Sequence, residues 1–197
     1  MSGVKREAIV IGASAGGIGA LSEILPQLPA NYPLPTFVVV HIPPDMKSLL
    51  PELFASKCRV QVKEAEDKET IRPGVVYFAP PDYHLLVETT GLLSLSSDEP
   101  ELFSRPSINV LFESAEDAYG TGLVGIILTG ASNDGAKGLH AISKAGGLAI
   151  VQDPKTAESS HMPESALESC PGALTLTSAD IGALLARLPN DGKTDGQ

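Results

Sequence analysis

The sequence has little cysteine and little positive charge, and each shortage excludes a class of protein. Among 197 residues there are two cysteines, Cys58 and Cys170, too few for a disulfide framework or a CxxC metal site. We therefore expect two free, buried thiols and no bound metal. Lysine and arginine total 14 against 24 acidic residues, and the net charge of -10 repels phosphate backbones and anionic lipid headgroups. Nucleic acid and membrane surfaces are thus poor candidate partners.

Long apolar runs and aromatic residues are scarce as well. No segment near the N-terminus is long enough for a signal sequence or a membrane span, which predicts a soluble, cytoplasmic protein. Tryptophan is absent and aromatics make up 5% of the chain, whereas 43% is hydrophobic, so the predicted core is aliphatic. A chain of this length can bury a core of its own. We predict one domain over residues 1–188 and a flexible tail over 189–197.

What the chain does have is an alternation of apolar runs and amphipathic segments. Four runs without polar alternation favour strands covered on both faces: Ala8–Ile11, Thr36–Val40, Leu123–Leu128 and Leu148–Val151. Helices are predicted between and after them, one with a break at Pro51: Ile18–Leu28, Asp45–Ser56, Ile108–Tyr119, Gly135–Ala145 and Ala179–Leu188. This order predicts an α/β fold, with a doubly wound, mostly parallel sheet and helices on both faces.

The middle of the chain is predicted to form short strands without helices between them. Turn signals of the Pro-Gly, Pro-Pro-Asp and Thr-Thr-Gly types separate four short predicted strands: Val60–Lys63, Val75–Ala79, Leu85–Glu88 and Leu92–Ser96. We expect these strands to form a small β-rich hairpin insertion in the α/β fold.

The first strand leads into a turn of small residues in the stretch IVIGASAGG. A phosphate cradle is one interpretation, but Ser14 replaces the second glycine of G-x-G-x-x-G, and His41 stands where a ribose-binding acid belongs. A second interpretation is the nucleophile turn G-x-S-x-G, whose small residues expose the serine hydroxyl, with helix N–H groups nearby for an oxyanion. A third is a plain turn in which Ser14 caps the following helix.

A nucleophilic serine requires a histidine and a group that orients the imidazole. His41 ends the second strand at the same sheet edge, although a ring bonded only to backbone is the simpler explanation. His161, in a later loop, is the rival base. Asp134 follows the apolar strand of GIILTGASNDG, and its simpler role is to cap the helix that begins at Gly135. Three catalytic residue types at three strand ends favour a common site.

These segments together resemble the catalytic domain of the CheB-type protein-glutamate methylesterases of bacterial chemotaxis. The resemblance runs from about residue 8 to residue 166 through IGASAGG, VVVHIPPDM, FSRPSINVLFESAED and GIILTGASNDGAKGL. It implies Ser14 as nucleophile, His41 as general base and then acid, and Asp134 as the residue that orients the imidazolium. The implied substrates are glutamate methyl esters on the helical signalling region of a chemoreceptor, with glutamine deamidation as a second reaction. We expect no cofactor.

The sequence departs from that family at three points. Ala15 and Ala131 stand where the family commonly has threonine and methionine, and we expect their backbone N–H groups to form the oxyanion hole. The seven residues before the first strand leave no room for the usual receiver domain, which predicts a truncated chain or a stand-alone esterase. These departures motivate an alternative function, a noncatalytic binding module. The loop Pro43–Lys47 is a candidate wall of the substrate groove.

Overall fold

The computed structural model describes residues 4–42 and 49–188. The predicted tail at 189–197, the predicted groove wall at 43–47 and the predicted start of a helix at Asp45 all lie outside these ranges. Within them, no helix has the length and hydrophobicity that crossing a bilayer requires.

The described part of the chain forms nine strands: β1 (Ala8–Ala13), β2 (Thr36–Val40), β3 (Gln61–Glu64), β4 (Val75–Phe78), β5 (His84–Val87), β6 (Leu93–Ser96), β7 (Leu123–Ile127), β8 (Leu148–Gln152) and β9 (Leu174–Leu176). Seven of them make one sheet in the order β3-β4-β2-β1-β7-β8-β9, in which every neighbouring pair is parallel. β5 and β6 form a separate antiparallel hairpin.

Six α-helices from the described ranges cover the sheet: α1 (Gly17–Ile24), α2 (Leu50–Ala55), α3 (Ile108–Tyr119), α4 (Ala136–Lys144), α5 (His161–Ser169) and α6 (Ser178–Arg187). One hydrophobic cluster joins α3, α4, α5 and the hairpin to one face of the sheet, and a second joins α1, α2 and α6 to the other. Every residue of β1, β2 and β7 is buried, as expected for strands covered on both sides. The predicted doubly wound α/β fold is confirmed.

The predicted β-rich insertion is only half as large as expected. β3 and β4 extend the main parallel sheet, with β4 beside β2, and only β5 and β6 form the hairpin. The reason is burial, because all four residues of β4 are inside the core and pack like those of the central strands. Turn signals mark where strands end, but they do not say which strands pair.

Pro51 lies in the first turn of α2, where a missing N–H costs no helical hydrogen bond; the part of the predicted helix before it lies outside the described ranges. Two other local predictions were wrong. His161 begins α5 rather than lying in a loop. Both cysteines are free as predicted, but only Cys170 is buried. Cys58 is half-buried, and its partial burial raises the pKa of the thiol against the opposing effect of the Lys57 charge.

The sheet order places a crevice at the carboxyl end of β1. The chain leaves β1 towards β2 on one side and later returns to β7 on the other, so the loops that follow these strands diverge in opposite directions. Such a switch point is where open α/β sheets bind their ligands.

Candidate active site

Ser14 follows β1 directly and sits in a turn that the neighbouring strand end holds in place. Its N–H donates to the Thr129 carbonyl at 3.0 Å, and the Thr129 hydroxyl donates to the Ala15 carbonyl at 2.8 Å. The turn closes at Gly16, whose φ of 80° is costly for residues with a side chain. Gly16 is the N-cap of α1 and no side chain caps this helix, so the interpretation of Ser14 as a cap is wrong.

His41 follows β2 and lies beside the serine turn. The strand register pairs Ala13 with Val40, and the His41 N–H donates to the Ala13 carbonyl at 3.0 Å. Neighbouring strands lie about 4.8 Å apart, so Ser14 and His41 leave adjacent strands at the same level. Within the described ranges, however, no hydrogen bond joins the serine hydroxyl to the imidazole.

The imidazole of His41 contacts a buried carboxylate. Its Nε2 lies 2.9 Å from Oδ2 of Asp134, and the two side chains are 13% and 0% exposed. The imidazole of His41 thus contacts a side chain and not only backbone groups, so the simpler explanation is wrong. Because Nε2 is engaged by the carboxylate, Nδ1 is the ring nitrogen left for a reacting hydroxyl.

The Asp134 carboxylate occupies the N-terminus of α3. Oδ2 accepts a hydrogen bond from the Ile108 N–H at 2.6 Å, and Oδ1 accepts from the Asn109 N–H and the Ser107 hydroxyl at 3.0 Å each. These donors and the positive end of the helix dipole favour a carboxylate at this position, where the side chain is 0% exposed. The arrangement places this buried carboxyl group next to His41.

This contact corrects the predicted capping role of Asp134. The aspartate binds the start of α3, not the helix that follows it in sequence. That helix, α4, is preceded by Gly135 with a φ of 96° and has no side-chain cap. Asn109 compensates, because its Oδ1 accepts from the N–H groups of Gly135 and Gly138 at 3.0 and 2.9 Å. Sequence reasoning gave Asn109 no role.

His84 supports the aspartate through Ser107 and was also missed. It is 2% exposed; its Nδ1 accepts from the Ser107 N–H at 3.1 Å, and its Nε2 lies 3.1 Å from the Glu99 carbonyl. A ring that accepts at Nδ1 and donates at Nε2 is a neutral imidazole with its proton on Nε2. The Arg-Pro-Ser segment before α3 was the sequence motif nearest to this contact. Its spacing gave no indication that His84 would contact Ser107.

The two predicted oxyanion positions flank Ser14 on separate turns. Ala15 and Ala131 are both exposed and belong to the turns after β1 and β7. Throughout residues 4–42 and 49–188, no acceptor takes a hydrogen bond from the N–H of either alanine. Both groups therefore remain available to a ligand at the crevice.

The other histidines stand apart from this arrangement. His161 is exposed at the first residue of α5, and the described contacts of Asp134 do not include it. His140 is on the exposed side of α4, and its Nδ1 lies 2.7 Å from the Ser169 carbonyl. In the part of the chain that the structure describes, no cluster of three or more His, Cys, Asp or Glu side chains is placed to share a metal ion.

Gly130 packs closely against Ser14 and leaves no room for a side chain of its own. A Cβ added there would stand 2.9 Å from the Ser14 Cβ and 2.7 Å from Sδ of Met162, closer than atoms in contact approach. We expect Gly130→Ala to displace Ser14 and lower kcat by about a hundredfold, because small misplacements of a reacting group are costly.

The matched control is Gly172→Ala, since a Cβ added at Gly172 would have no atom within 4 Å. It should keep the kcat of the parent. The measurement is kcat from steady-state kinetics of both variants. A parental kcat in Gly130→Ala would show that a side chain at position 130 does not disturb Ser14.

The fold and the site together define a class of protein. A parallel α/β sheet with serine, histidine and aspartate at the ends of its central strands has the composition of a serine hydrolase site at a topological switch point. The chain matches the CheB methylesterase family over residues 9–185 and belongs to that family. The resemblance seen in the sequence motifs is thereby confirmed, and so is the predicted hydrolase class.

Individual relatives agree with this assignment. A protein of Leptospira interrogans is 49% identical over 182 residues, which are 92% of this chain and 94% of the relative. The protein-glutamate methylesterase/protein-glutamine glutaminase of Archaeoglobus fulgidus is 41% identical over 167 residues, 83% of this chain but 48% of that protein. The crystal structure of the Thermotoga maritima CheB methylesterase catalytic domain superposes with a TM-score of 0.89 at 34% identity, covering 94% of this chain and all of the other.

Proposed function

We propose that the chain is a serine hydrolase that demethylates glutamate methyl esters on methyl-accepting chemotaxis receptors and releases methanol. The observation that carries the proposal is the 2.9 Å contact between His41 and the buried Asp134, one strand away from Ser14. The name of the Archaeoglobus relative includes both a methylesterase and a glutaminase activity, and we extend both to this chain. No observation on the described residues favours a noncatalytic binding module.

In the proposed mechanism, Ser14 Oγ attacks the ester carbonyl while His41 takes the hydroxyl proton on Nδ1. Asp134 stabilises the imidazolium through Nε2. The N–H groups of Ala15 and Ala131 are assigned to the oxyanion, where preorganised donors stabilise the tetrahedral intermediate. His41 returns the proton to the departing methoxide, which leaves as methanol.

The second half of the cycle regenerates the enzyme. His41 takes a proton from water, the hydroxide attacks the acyl carbonyl, and Ser14 leaves with the proton that the imidazolium gives back. The product is a glutamic acid side chain, which releases its proton to solvent and becomes a carboxylate. A glutamine side chain passes through the same acyl-enzyme, with ammonia as the leaving group in place of methanol, so one site serves both reactions.

The proposal extends to the organisation and location of the protein. The strands of the seven-stranded sheet come from residues 8 to 176, which supports residues 1–188 as a single catalytic domain. We place its activity in the cytoplasm, where it acts on the helical signalling region of the receptor and neither inserts into the membrane nor binds nucleic acid.

The test is methanol release from receptor membranes incubated with this chain alone. Methylated receptors should yield methanol, and receptors carrying glutamine at the same positions should yield ammonia. Membranes with unmodified glutamates are the control. Methanol release no faster than from the control membranes would contradict the proposed function.

A further inference from the structure

A tight turn close to the site has a backbone that its residues do not favour. The backbone groups of Glu101 and Ser104 exchange two hydrogen bonds, at 3.2 and 2.9 Å. Between them, Leu102 and Phe103 have φ values of 48° and 64°. Positive φ at both central positions is the type I′ turn, which strongly prefers Asn-Gly. Leucine and phenylalanine are held there against their own steric preference.

The same turn exposes its apolar side chains. Phe103 is 103% exposed and Leu102 is 44% exposed, so neither adds much to the hydrophobic core. A third exposed apolar side chain, Tyr83 at 45%, adjoins Asp82, whose carboxylate lies 2.6 Å from the Arg105 guanidinium at the end of the turn. We call Tyr83, Leu102 and Phe103 the apolar rim. Strained backbone that presents apolar surface to solvent is typical of a binding element.

The turn that carries Leu102 and Phe103 is linked to the candidate active site through hydrogen bonds of its first residue. Oε1 of Glu101 accepts from the Asn109 amide at 2.8 Å, and the Asn109 N–H donates to Asp134 at 3.0 Å. Ser107, which also donates to the aspartate, follows the turn by three residues. Two hydrogen bonds therefore separate the strained turn from the carboxylate that contacts His41.

We propose that the apolar rim docks a helix of the receptor substrate and so positions the modified glutamate at Ser14; this inference rests on the proposed function. Charge does not supply the affinity, because a chain with a net charge of -10 does not attract a helix that carries glutamate methyl esters beside ionised glutamates. On a helix, side chains three or four positions from a glutamate lie on the same face. Apolar residues at those positions match Phe103 and Leu102 in the helix-in-groove mode of recognition.

The test substitution is Phe103→Asn, because asparagine tolerates positive φ but offers little apolar surface. We expect the KM for methylated receptor to rise about tenfold, as when an aromatic anchor is truncated, with little change in kcat. The melting temperature should stay the same or rise, because strain is removed. Leu174→Asn is the control; this leucine is 46% exposed on β9, three strands from β1, and both KM and kcat should remain at the parental value.

Each outcome separates this inference from the proposed function. If the parent releases no methanol, the proposed function itself fails. If the parent is active and Phe103→Asn keeps the parental KM, only the docking role is overturned. A lower melting temperature would show that Phe103 packs within the fold. A lower sedimentation coefficient with unchanged KM would assign the apolar rim to contact between two copies of this chain. Either of these results would also overturn the inference.

Discussion

Replacing Ser14 with alanine is expected to lower kcat for methanol release about a thousandfold or more, because the three residues of such a site act as a unit. Only the side-chain oxygen is lost. The turn itself depends on backbone contacts, since the N–H of residue 14 donates to the Thr129 carbonyl, and alanine retains that bond. The melting temperature should therefore stay at the parental value, which separates loss of chemistry from loss of fold.

Ser22→Ala is the matched control for this experiment. Ser22 belongs to α1, the helix that follows the serine turn, and its hydroxyl accepts from Lys57 Nζ at 3.3 Å on the surface. Its kcat should be that of the parent. Methanol measured over the same time course for the three proteins gives the comparison. Near-parental methanol release by Ser14→Ala would show that Ser14 is not the nucleophile.

Asp134→Ala is expected to affect both activity and stability, unlike the serine substitution. The change leaves the Ile108 and Asn109 N–H groups and the Ser107 hydroxyl buried without their acceptor. Buried donors without partners cost roughly 1–3 kcal/mol each. We expect the free energy of unfolding to fall by about 3–5 kcal/mol, because three such donors lose their acceptor. Turnover should fall about ten-thousandfold, because His41 loses the group that orients it.

The control is an aspartate whose contacts are exposed. Asp180 accepts from the Thr177 hydroxyl at 2.7 Å at the start of α6, and Asp180→Ala should cost less than about 1 kcal/mol. Urea unfolding of the two variants compares the buried site with the exposed one. Equal stability of Asp134→Ala and the parent would mean that the contacts at the start of α3 contribute nothing to the fold.

The meeting of the three strand ends could be predicted because it depends on topology rather than on distance along the chain. Residues 14, 41 and 134 each follow an apolar run, and parallel strands bring their carboxyl ends to one edge. The order of the strands did not need to be known in detail. The membership of β3 and β4 in the main sheet could not be predicted, since local patterns fix the ends of a strand and not its neighbours.

The surroundings of the carboxylate were beyond sequence reasoning for a similar reason. Local capping rules assign Asp134 to the helix next to it, whereas its donors come from a segment more than twenty residues earlier. His84 and Asn109 act through single hydrogen bonds between distant segments, which leave no periodic signal. In the Leu102–Phe103 turn, local sequence rules predict the wrong backbone conformation. Leucine and phenylalanine disfavour the positive φ values that the fold imposes there.

Covalent labelling identifies an activated serine without relying on a receptor substrate. A fluorophosphonate ester reacts with a serine hydroxyl that a base activates, and mass spectrometry of the digested protein locates the adduct. We predict one adduct per chain, on the peptide that contains Ser14, and labelling slowed by about a hundredfold or more in His41→Gln, since a general base contributes rate factors of that order. An adduct on a different serine, or an unlabelled Ser14 in a preparation that releases methanol, would show that Ser14 is not the nucleophile.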